Sequence, residues 1–309
     1  MINVDLRMEK SMEPTYGYLR HKLLKKAYGG EIVDTGHWQG LRDVPHTRTV
    51  ELQNVTMEMG ITESPLAWAA FTKPNLPWAE DHFHERVAGE PLNPGEQYKN
   101  WPWYRGGVES HKKTCCENPR PGPLVKERCL GCGQLLKATG QFSHTYMERF
   151  WPKEVGDYQF NGGNFGIRYE LGDLNDVVSI LERDPGTRQA YLPIWFPEDA
   201  TASLQDQRVP CSLGYHFMLR QGQLHCMYTM RSVDFVRYLA DDLYMAGRLV
   251  QWIIKELVDR EFATHEEKMT HEYLWDGVTP GKLLFTAASL HAFEGDIPKL
   301  RRESTHAAV

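Results

Sequence analysis

Apolar side chains recur every three to four residues in four stretches of the chain, and this spacing predicts helices. Residues 16–28, 78–87 and 172–183 are the three shorter stretches. The fourth, residues 235–258, is strongly apolar on one side, so we expect that side to be buried.

Apolar and polar residues alternate in further stretches, a pattern typical of β-strands. The predicted strands are residues 49–57, 188–196, 213–219 and 224–230. The last two flank Gln221-Gly222-Gln223, which predicts a hairpin turn. Residues 29–48 are rich in Gly, Asp, Thr and His and are predicted to be a loop. Several strands beside a long buried helix predict an α+β fold, with the strand after Cys211 in a central position.

Composition narrows the class of protein. A chain of 309 residues can bury a sizeable core. The formal net charge of −6 argues against a nucleic-acid polymer as partner, because such proteins usually carry a basic excess. No apolar run approaches the roughly 20 residues of a membrane span, and the N-terminus has no apolar signal core. We therefore expect a cytoplasmic protein without a membrane partner.

The six cysteines fall into two groups. Residues 105–140, rich in Lys, Pro and Gly, are interpreted as an insertion. Four cysteines are crowded there: Cys115, Cys116, Cys129 and Cys132. Their spacing predicts a structural zinc site, with His111 or His144 as alternative ligands and free thiols as the alternative interpretation. Cys211 and Cys226 stand apart and are expected to be catalytic or core thiols.

Four short motifs follow one another between residues 180 and 295. They are Asp184-Pro185-Gly186-Thr187-Arg188, Val209-Pro210-Cys211-Ser212, Met230-Arg231-Ser232-Val233-Asp234 and Ser289-Leu290-His291-Ala292-Phe293. In order and spacing they resemble the thymidylate synthase superfamily, whose pattern is Asn/Asp-Pro-x-Ser-Arg-Arg, Pro-Cys, Arg-Ser-x-Asp and Leu-His-x-Tyr. The resemblance implies one catalytic domain over residues 1–309 with a thymidylate synthase-like mixed sheet, and it implies a homodimer.

The resemblance also assigns roles to residues of these motifs. Cys211 would be the nucleophile, because a thiolate added at C6 of a pyrimidine makes C5 a carbon nucleophile. Contacts to a pyrimidine nucleoside monophosphate are implied for Arg188, Arg231, Ser232, Asp234 and His291, and for a loop arginine, Arg42 or Arg48. Arg231 and Ser232 would bind the phosphate, and Arg188 would reach the site of the neighbouring subunit. His291 would contact a sugar hydroxyl.

Folate contacts are implied for two residues, with methylenetetrahydrofolate as the carbon donor. Trp101, in the stretch after Pro94-Gly95-Glu96, resembles the family's folate-side tryptophan, and Asp234 is the second residue. The chain departs from the family pattern at three positions: Phe165, Gln189 and Phe293. Because Phe293 has no hydroxyl for the sugar, ribose and deoxyribose both stay open.

Asp242 bears on the identity of the base. It lies eleven residues after Arg231, where thymidylate synthases carry an asparagine that contacts uracil. An ionised carboxylate only accepts hydrogen bonds, so it suits the amino group of cytosine and repels O4 of uracil. Asp241 precedes it, so a shift by one position still gives an aspartate. With Met230 in place of a glutamine, this region resembles the deoxycytidylate hydroxymethylases of phages.

The last step of the reaction decides the product. Hydride from the folate gives a methyl group, whereas water gives a hydroxymethyl group and requires a general base near C5. Glu80 resembles the family's N-terminal glutamate, with Asp81 and Glu85 as alternatives. We therefore predict a (deoxy)cytidylate 5-hydroxymethylase. The alternatives are a thymidylate synthase or deoxyuridylate hydroxymethylase on the same scaffold, and a zinc-stabilised nucleotide-binding protein without catalysis.

Overall fold

The chain has the predicted α+β fold, seen in a computed structural model that describes residues 2–5, 10–34, 48–93, 95–97, 144–151, 159–160, 163–164, 173–204, 209–265 and 274–306. The helices are α1 Glu13–Tyr28, α2 Pro65–Thr72, α3 Trp78–Arg86, α4 Met147–Phe150, α5 Leu174–Arg183, α6 Pro197–Leu204, α7 Leu239–His265 and α8 Ile297–His306. The strands are β1 Ile2–Asp5, β2 Thr49–Gly60, β3 Gln159–Phe160, β4 Gly163–Asn164, β5 Tyr191–Pro193, β6 Ser212–Arg220, β7 Gln223–Asp234 and β8 Thr279–Phe293.

Six of these strands form one mixed sheet in the order β1-β2-β8-β7-β6-β5. The central strands β7 and β8 are parallel, and α7 connects them, since parallel neighbours need a crossover. The prediction that the strand after Cys211 lies centrally is wrong, because β6 lies next to the edge strand β5. The central position goes to β8, which comes from far along the chain and pairs with both β7 and β2.

The four predicted helices are confirmed as α1, α3, α5 and α7. α5 begins at an N-cap, Asp173, whose carboxylate accepts a hydrogen bond from the backbone N–H of Asp176, and the Asp176 side chain accepts one in return. α7 begins later than residue 235 because the Asp234 carboxylate accepts hydrogen bonds from the N–H groups of Val236 and Arg237, which form a turn. The apolar pattern did not predict α2, a helix of eight residues capped by Ser64.

Three of the four predicted strands are confirmed as β2, β6 and β7. The hairpin between β6 and β7 has both Gln221 and Gly222 at positive φ, 52° and 71°, as expected for the tight turn that matches strand twist. The prediction of a strand over residues 188–196 is wrong outside Tyr191–Pro193. Pro193 has no N–H for the ladder, and α6 begins at Pro197.

Burial alternates along the sheet and separates a helix-covered face from an open face. On β7, the side chains of Leu224, Cys226, Tyr228 and Met230 belong to the core, whereas those between them are more exposed. α7 packs on the core side, where Gly247 leaves room for the Trp68 ring; a Cβ at Gly247 would lie 2.2 Å from the indole nitrogen. Within the described ranges, no helix is both long and apolar enough to cross a membrane.

Several predictions concern residues outside the described ranges. They are the insertion over 105–140 with its four cysteines, His111, Arg42, Pro94, Trp101 and Phe165. The predictions of a zinc site and of Trp101 as a folate contact therefore stay predictions.

Candidate active site

Cys211 lies directly before β6 and is half-buried, with its backbone carbonyl accepting a hydrogen bond from the N–H of Arg231 at 2.8 Å. The pairing of Ser212 with Met230 across the β6–β7 hairpin explains this contact. Two motifs that stand twenty residues apart are thus brought together by one hairpin.

The thiol of Cys211 lies between two side chains of the Arg-Ser-x-Asp motif. Arg231 Nη2 and Ser232 Oγ each lie 3.7 Å from Cys211 Sγ, and Arg231 Nη1 donates to Ser232 Oγ at 3.2 Å. The same guanidinium donates to the carbonyls of Val209 and Pro210, at 3.1 and 2.8 Å. Arg231 therefore fixes the backbone that carries the nucleophile and places a positive charge beside its sulfur.

A chain of hydroxyl groups runs into the core next to the nucleophile. Ser212 Oγ donates to Tyr146 Oη at 3.1 Å and lies 2.6 Å from Tyr228 Oη. Tyr228 in turn hydrogen-bonds with Tyr215, and their rings stack at 4.3 Å. Burial raises the pKa of Tyr146 to about 12, and Cys211 and Asp242 act on it electrostatically in the same direction. Tyr146 therefore connects the two ends of the site.

Asp242 lies in the first turn of α7 and is 8% exposed. No hydrogen bond joins its carboxylate to another residue in the described ranges, which is unusual for a buried carboxylate. Burial raises the pKa of Asp242 to about 7, the charge of Arg86 opposes this, and Asp241 and Asp234 add to it. A buried carboxylate without a partner points to a ligand that completes it.

Asp241 has a different environment, although it is only one position away. Both of its oxygens accept hydrogen bonds from Asn75, from the backbone N–H at 2.7 Å and from Nδ2 at 2.8 Å. Asp241 thus anchors the loop that precedes α3. Of the two aspartates, Asp242 is the one whose carboxylate is available to a ligand.

Arg86, at the end of α3, is a second basic group of the described site, besides Arg231. It is 4% exposed, and its guanidinium lies over the Tyr146 ring at 4.2 Å from the centroid. Its Nε is buried without a hydrogen-bond partner. Arg86 and Asp242 are therefore two buried charged groups on opposite elements, both close to Tyr146.

Asp234 and His291 meet on the paired strands β7 and β8. Asp234 accepts from the Arg237 side chain at 2.7 Å and from two backbone N–H groups, and Arg237 also pairs with Asp296 at 2.6 Å. Burial lowers the pKa of His291. The charges of Asp234 and Glu51 oppose this shift, and that of Arg231 adds to it. The net pKa is lowered, so the ring is neutral at pH 7. A neutral imidazole both donates and accepts hydrogen bonds, as a sugar hydroxyl requires.

Glu80 is held in a network on the α3–α7 interface. Arg248 Nη2 and Nε donate to its two oxygens at 2.7 and 2.9 Å, and Tyr244 Oη donates at 2.6 Å. Burial alone would raise the pKa of Glu80, but the hydrogen bonds from Arg248 and Tyr244 lower it below its usual value. A carboxylate stabilised in this way is a weak base, so these contacts favour a structural role.

The alternatives to Glu80 are placed as follows. Glu85 Oε1 accepts from the backbone N–H groups of Glu96 and Gln97, at 2.6 and 3.3 Å, and its other oxygen lies 3.3 Å from His82. Asp81 is exposed on α3. Neither position offers a carboxylate that faces the Cys211 thiol through a described contact.

Besides Arg231, two of the predicted phosphate arginines lie in the described ranges, and both make contacts elsewhere. Arg48 is paired with Glu294 at 2.9 and 3.0 Å near the end of β8. Arg188 is exposed before β5, and its backbone carbonyl contacts His216 at 2.9 Å. The fold therefore groups six of the predicted site residues: Cys211, Arg231, Ser232, Asp234, Asp242 and His291. No described contact joins Arg48, Arg188 or Glu80 to that group.

Two residues of the site, Tyr146 and Arg86, were not predicted from sequence. Neither belongs to a motif, and each resembles an ordinary residue at a helix end. Among the described residues, no group of three or more His, Cys, Asp or Glu could hold a metal ion, although the cysteine cluster lies outside those residues.

Comparison with known proteins bears on the part of the chain that carries this site. Residues 134–260 match the thymidylate synthase family model. The matched range contains Tyr146, Cys211, Arg231 and Asp242. The comparison supports the superfamily that the motifs resemble, and the mixed sheet with its long helix is consistent with a thymidylate synthase-like fold.

Two relatives are described as putative thymidylate synthases. One, from Methanosarcina acetivorans, is 23% identical over 157 residues, which are 50% of this chain and 55% of the relative. The other, from Methanosarcina barkeri, is 22% identical over 127 residues, which are 41% of this chain and 48% of the relative. The chain thus spans about half the length of the relatives it matches.

Proposed function

We propose that this chain transfers a one-carbon unit to C5 of a pyrimidine nucleotide, and that it is a (deoxy)cytidylate 5-hydroxymethylase. The observation that carries the proposal is the placement of the Cys211 thiol beside Arg231 and Ser232 in the same site as the unpartnered carboxylate of Asp242. A thiol next to a fixed guanidinium has the environment of a reactive cysteine. A buried carboxylate without a partner has the environment of a base-binding group.

The nucleophile accounts for the reaction class. Arg231 places its charge beside Cys211, whose thiolate would add to C6 of the pyrimidine and make C5 nucleophilic. Ser232 and Arg231 are within reach of each other and would also bind the phosphate, as the resemblance implies. The half-buried His291 would contact a sugar hydroxyl.

Asp242 accounts for the base. An ionised carboxylate accepts hydrogen bonds and does not donate them, so it pairs with the amino group of cytosine and not with O4 of uracil. Both carboxylate oxygens of the neighbouring Asp241 accept hydrogen bonds from Asn75, which supports Asp242 as the residue that contacts the base.

Methylenetetrahydrofolate would supply the one-carbon unit. Asp234 is compatible with a folate contact, because a carboxylate has about four acceptor positions and three are used by Val236 and Arg237. The contacts of Glu80 do not support it as the general base that activates water, so this role of Glu80 stays a prediction.

A homodimer is part of the proposal. The open face of the sheet leaves Met227 40% and Tyr191 46% exposed, an apolar surface that a second copy of the chain would cover. Arg188 lies at this side of the sheet, next to His216, which is consistent with a contact to the partner's phosphate site. Sedimentation analysis tests the dimer. Activity recovered by mixing Arg188→Gln with Cys211→Ala chains tests the shared site.

The proposed function is tested by release of tritium from C5 of labelled dCMP, CMP and dUMP in the presence of methylenetetrahydrofolate. We expect release from a cytidine monophosphate, and we expect mass spectrometry to identify a hydroxymethyl product. Cys211→Ala should abolish release, and the matched variant Cys226→Ala should not. Release from dUMP alone, or a methyl product, would contradict the hydroxymethylase.

The non-catalytic alternative is separated by covalent capture. A 5-fluoropyrimidine nucleotide with folate should form a stable complex with the wild-type chain and none with Cys211→Ala. If the nucleotide binds without forming a covalent complex, the chain is a nucleotide-binding protein.

A further inference from the structure

Arg86 is buried, and the N–H of its Nε has no hydrogen-bond partner within the described chain. It is 4% exposed, its Nε has no partner, and its contact is the face of the Tyr146 ring at 4.2 Å. A buried donor left without an acceptor destabilises the fold. The contact with the Tyr146 ring leaves this N–H unsatisfied, so a ligand atom that accepts from Nε is the expected partner.

The position of Arg86 relates it to the reacting ring. Tyr146 contacts both Arg86, through its ring, and Ser212, the residue after Cys211, through its hydroxyl, which accepts a hydrogen bond from Ser212 Oγ. Asp242 is acted on by the charge of Arg86, which favours its ionised form. A pyrimidine joined to Cys211 through C6 has N3 directly across its ring, so the groups opposite the thiol contact N3 and the substituent at C4.

We propose that Arg86 and Asp242 together select cytosine, with the Arg86 guanidinium donating to N3 while the Asp242 carboxylate accepts from the N4 amino group. This inference rests on the proposed function and adds a second residue to its base site. Arginine only donates and an ionised aspartate only accepts, whereas N3 of cytosine accepts and N4 donates. Uracil presents N3–H to Arg86 and O4 to Asp242, so both of its contacts are repulsive.

The proposed hydrogen bond from Arg86 to N3 also affects the covalent step. When the Cys211 thiolate forms the S–C6 bond, the C5=C6 pair becomes the C4=C5 bond and the C4=N3 pair moves onto N3. The negative charge thus develops on the atom to which Arg86 donates. A fixed cationic donor in a buried site stabilises such a charge more than water does. In uracil the corresponding charge develops on O4, which faces a carboxylate.

The charge state of Asp242 depends on all the groups that surround it. These are Arg86 from α3, Asp241 from α7, Asp234 and Tyr228 from β7, Tyr215 from β6, and Tyr146 before α4. Arg86 is the cation in this set, so its removal makes ionisation of Asp242 harder.

The test compares Arg86→Gln and Arg86→Lys with the unchanged Arg86. Binding is measured in chains that also carry Cys211→Ala, and turnover is measured in chains that keep Cys211. Arg86→Gln should reduce the ratio of uridylate to cytidylate dissociation constants at least tenfold, and Arg86→Lys should retain part of it. It should also lower kcat/KM for the cytidylate about 100-fold, as expected for loss of a donor to a developing charge. The inflection of kcat/KM with pH should move upward, because Asp242 loses its neighbouring cation.

Arg149→Gln is the matched control, because Arg149 is a largely buried arginine whose guanidinium donates to both oxygens of Asp199 at 2.8 and 3.0 Å. It should lower stability and leave the ratio of dissociation constants unchanged. An unchanged ratio in Arg86→Gln, or an equal change in Arg149→Gln, would overturn the assignment even if tritium release continues. If Arg86→Gln loses the preference for cytidylate over uridylate in binding, the assignment of Arg86 is upheld even when the wild-type chain releases no tritium. The binding measurement therefore tests Arg86 independently of the proposed reaction.

Discussion

Arg248 holds both carboxylate oxygens of Glu80, at 2.7 and 2.9 Å, across the interface between α7 and α3. The resemblance that gives Glu80 the role of general base requires a carboxylate free to take a proton. The observed pair instead ties α3, which ends at Arg86, to α7, which carries Asp242 in its first turn. Glu80 therefore contributes to the site by fixing the distance between these two helices.

Glu80→Gln should lower the free energy of unfolding at pH 7 by about 3 kcal/mol, because it leaves the charge of Arg248 unpaired in a largely buried position. The pKa of Glu80 is lowered in the fold, so its contribution is complete above the usual value of 4.5 and is lost as pH falls through the lowered value. Urea unfolding between pH 3 and pH 8 measures this difference. A variant with unchanged stability and abolished turnover would instead support the general base.

Asp242→Asn should stabilise the fold. Burial raises the pKa of Asp242 from 3.8 to about 7, so the folded state resists an ionisation that the unfolded state allows. The gain is absent below pH 3.8, grows as pH rises and is complete above about pH 7. It amounts to at most roughly 4 kcal/mol, the equivalent of about three pKa units.

The matched variant is Asp241→Asn, which disrupts the two hydrogen bonds from Asn75 and should destabilise the fold at the same pH values. Thermal unfolding of both variants across pH separates the two positions. If both aspartates behave alike, the assignment of Asp242 to the ligand and Asp241 to the fold is incorrect.

The part of the site that could be predicted from sequence is the part built by one hairpin. Cys211 and Arg231 lie on either side of a turn marked by Gly222, so local pairing brings them together. The strand order was not predictable in the same way, because β8 pairs with β7 only after α7 has crossed between them. Local patterns show which face of a strand is buried but not which distant strand lies beside it.

Arg86 and Tyr146 could not be predicted for a related physical reason. Their contact joins the end of α3 to the residue before α4, two segments about sixty residues apart along the chain, and only Tyr146 makes a direct contact next to the nucleophile, through Ser212. A basic residue in the last turn of a helix is a common, favourable arrangement with the helix dipole. Only the burial and the missing partner of Arg86 distinguish it from that ordinary case.

The hydroxyl chain beside Cys211 predicts an energetic coupling between Ser212 and Tyr228. Their oxygens lie 2.6 Å apart in the core, so each single change leaves a buried hydroxyl with one bond fewer. Ser212→Ala and Tyr228→Phe should each cost about 1–2 kcal/mol, and the double variant should cost less than the sum. Urea unfolding of the wild-type chain, the two single variants and the double variant measures this coupling as a double-mutant cycle. Strict additivity would show that the two hydroxyls do not depend on each other.

Alkylation of the native protein tests the environment of the nucleophile. Iodoacetamide should modify Cys211 and spare Cys226, because Cys211 is half-buried beside Arg231 whereas burial raises the pKa of the Cys226 thiol. Arg231→Gln should slow modification of Cys211 about tenfold, since the thiolate is the reactive form and loses its neighbouring charge. Arg220→Gln is the matched control at the other end of the hairpin, where the arginine bonds to the Thr187 carbonyl. Equal slowing in both variants, measured by peptide mass spectrometry, would show a general loosening of the hairpin and not an effect of charge on the thiol.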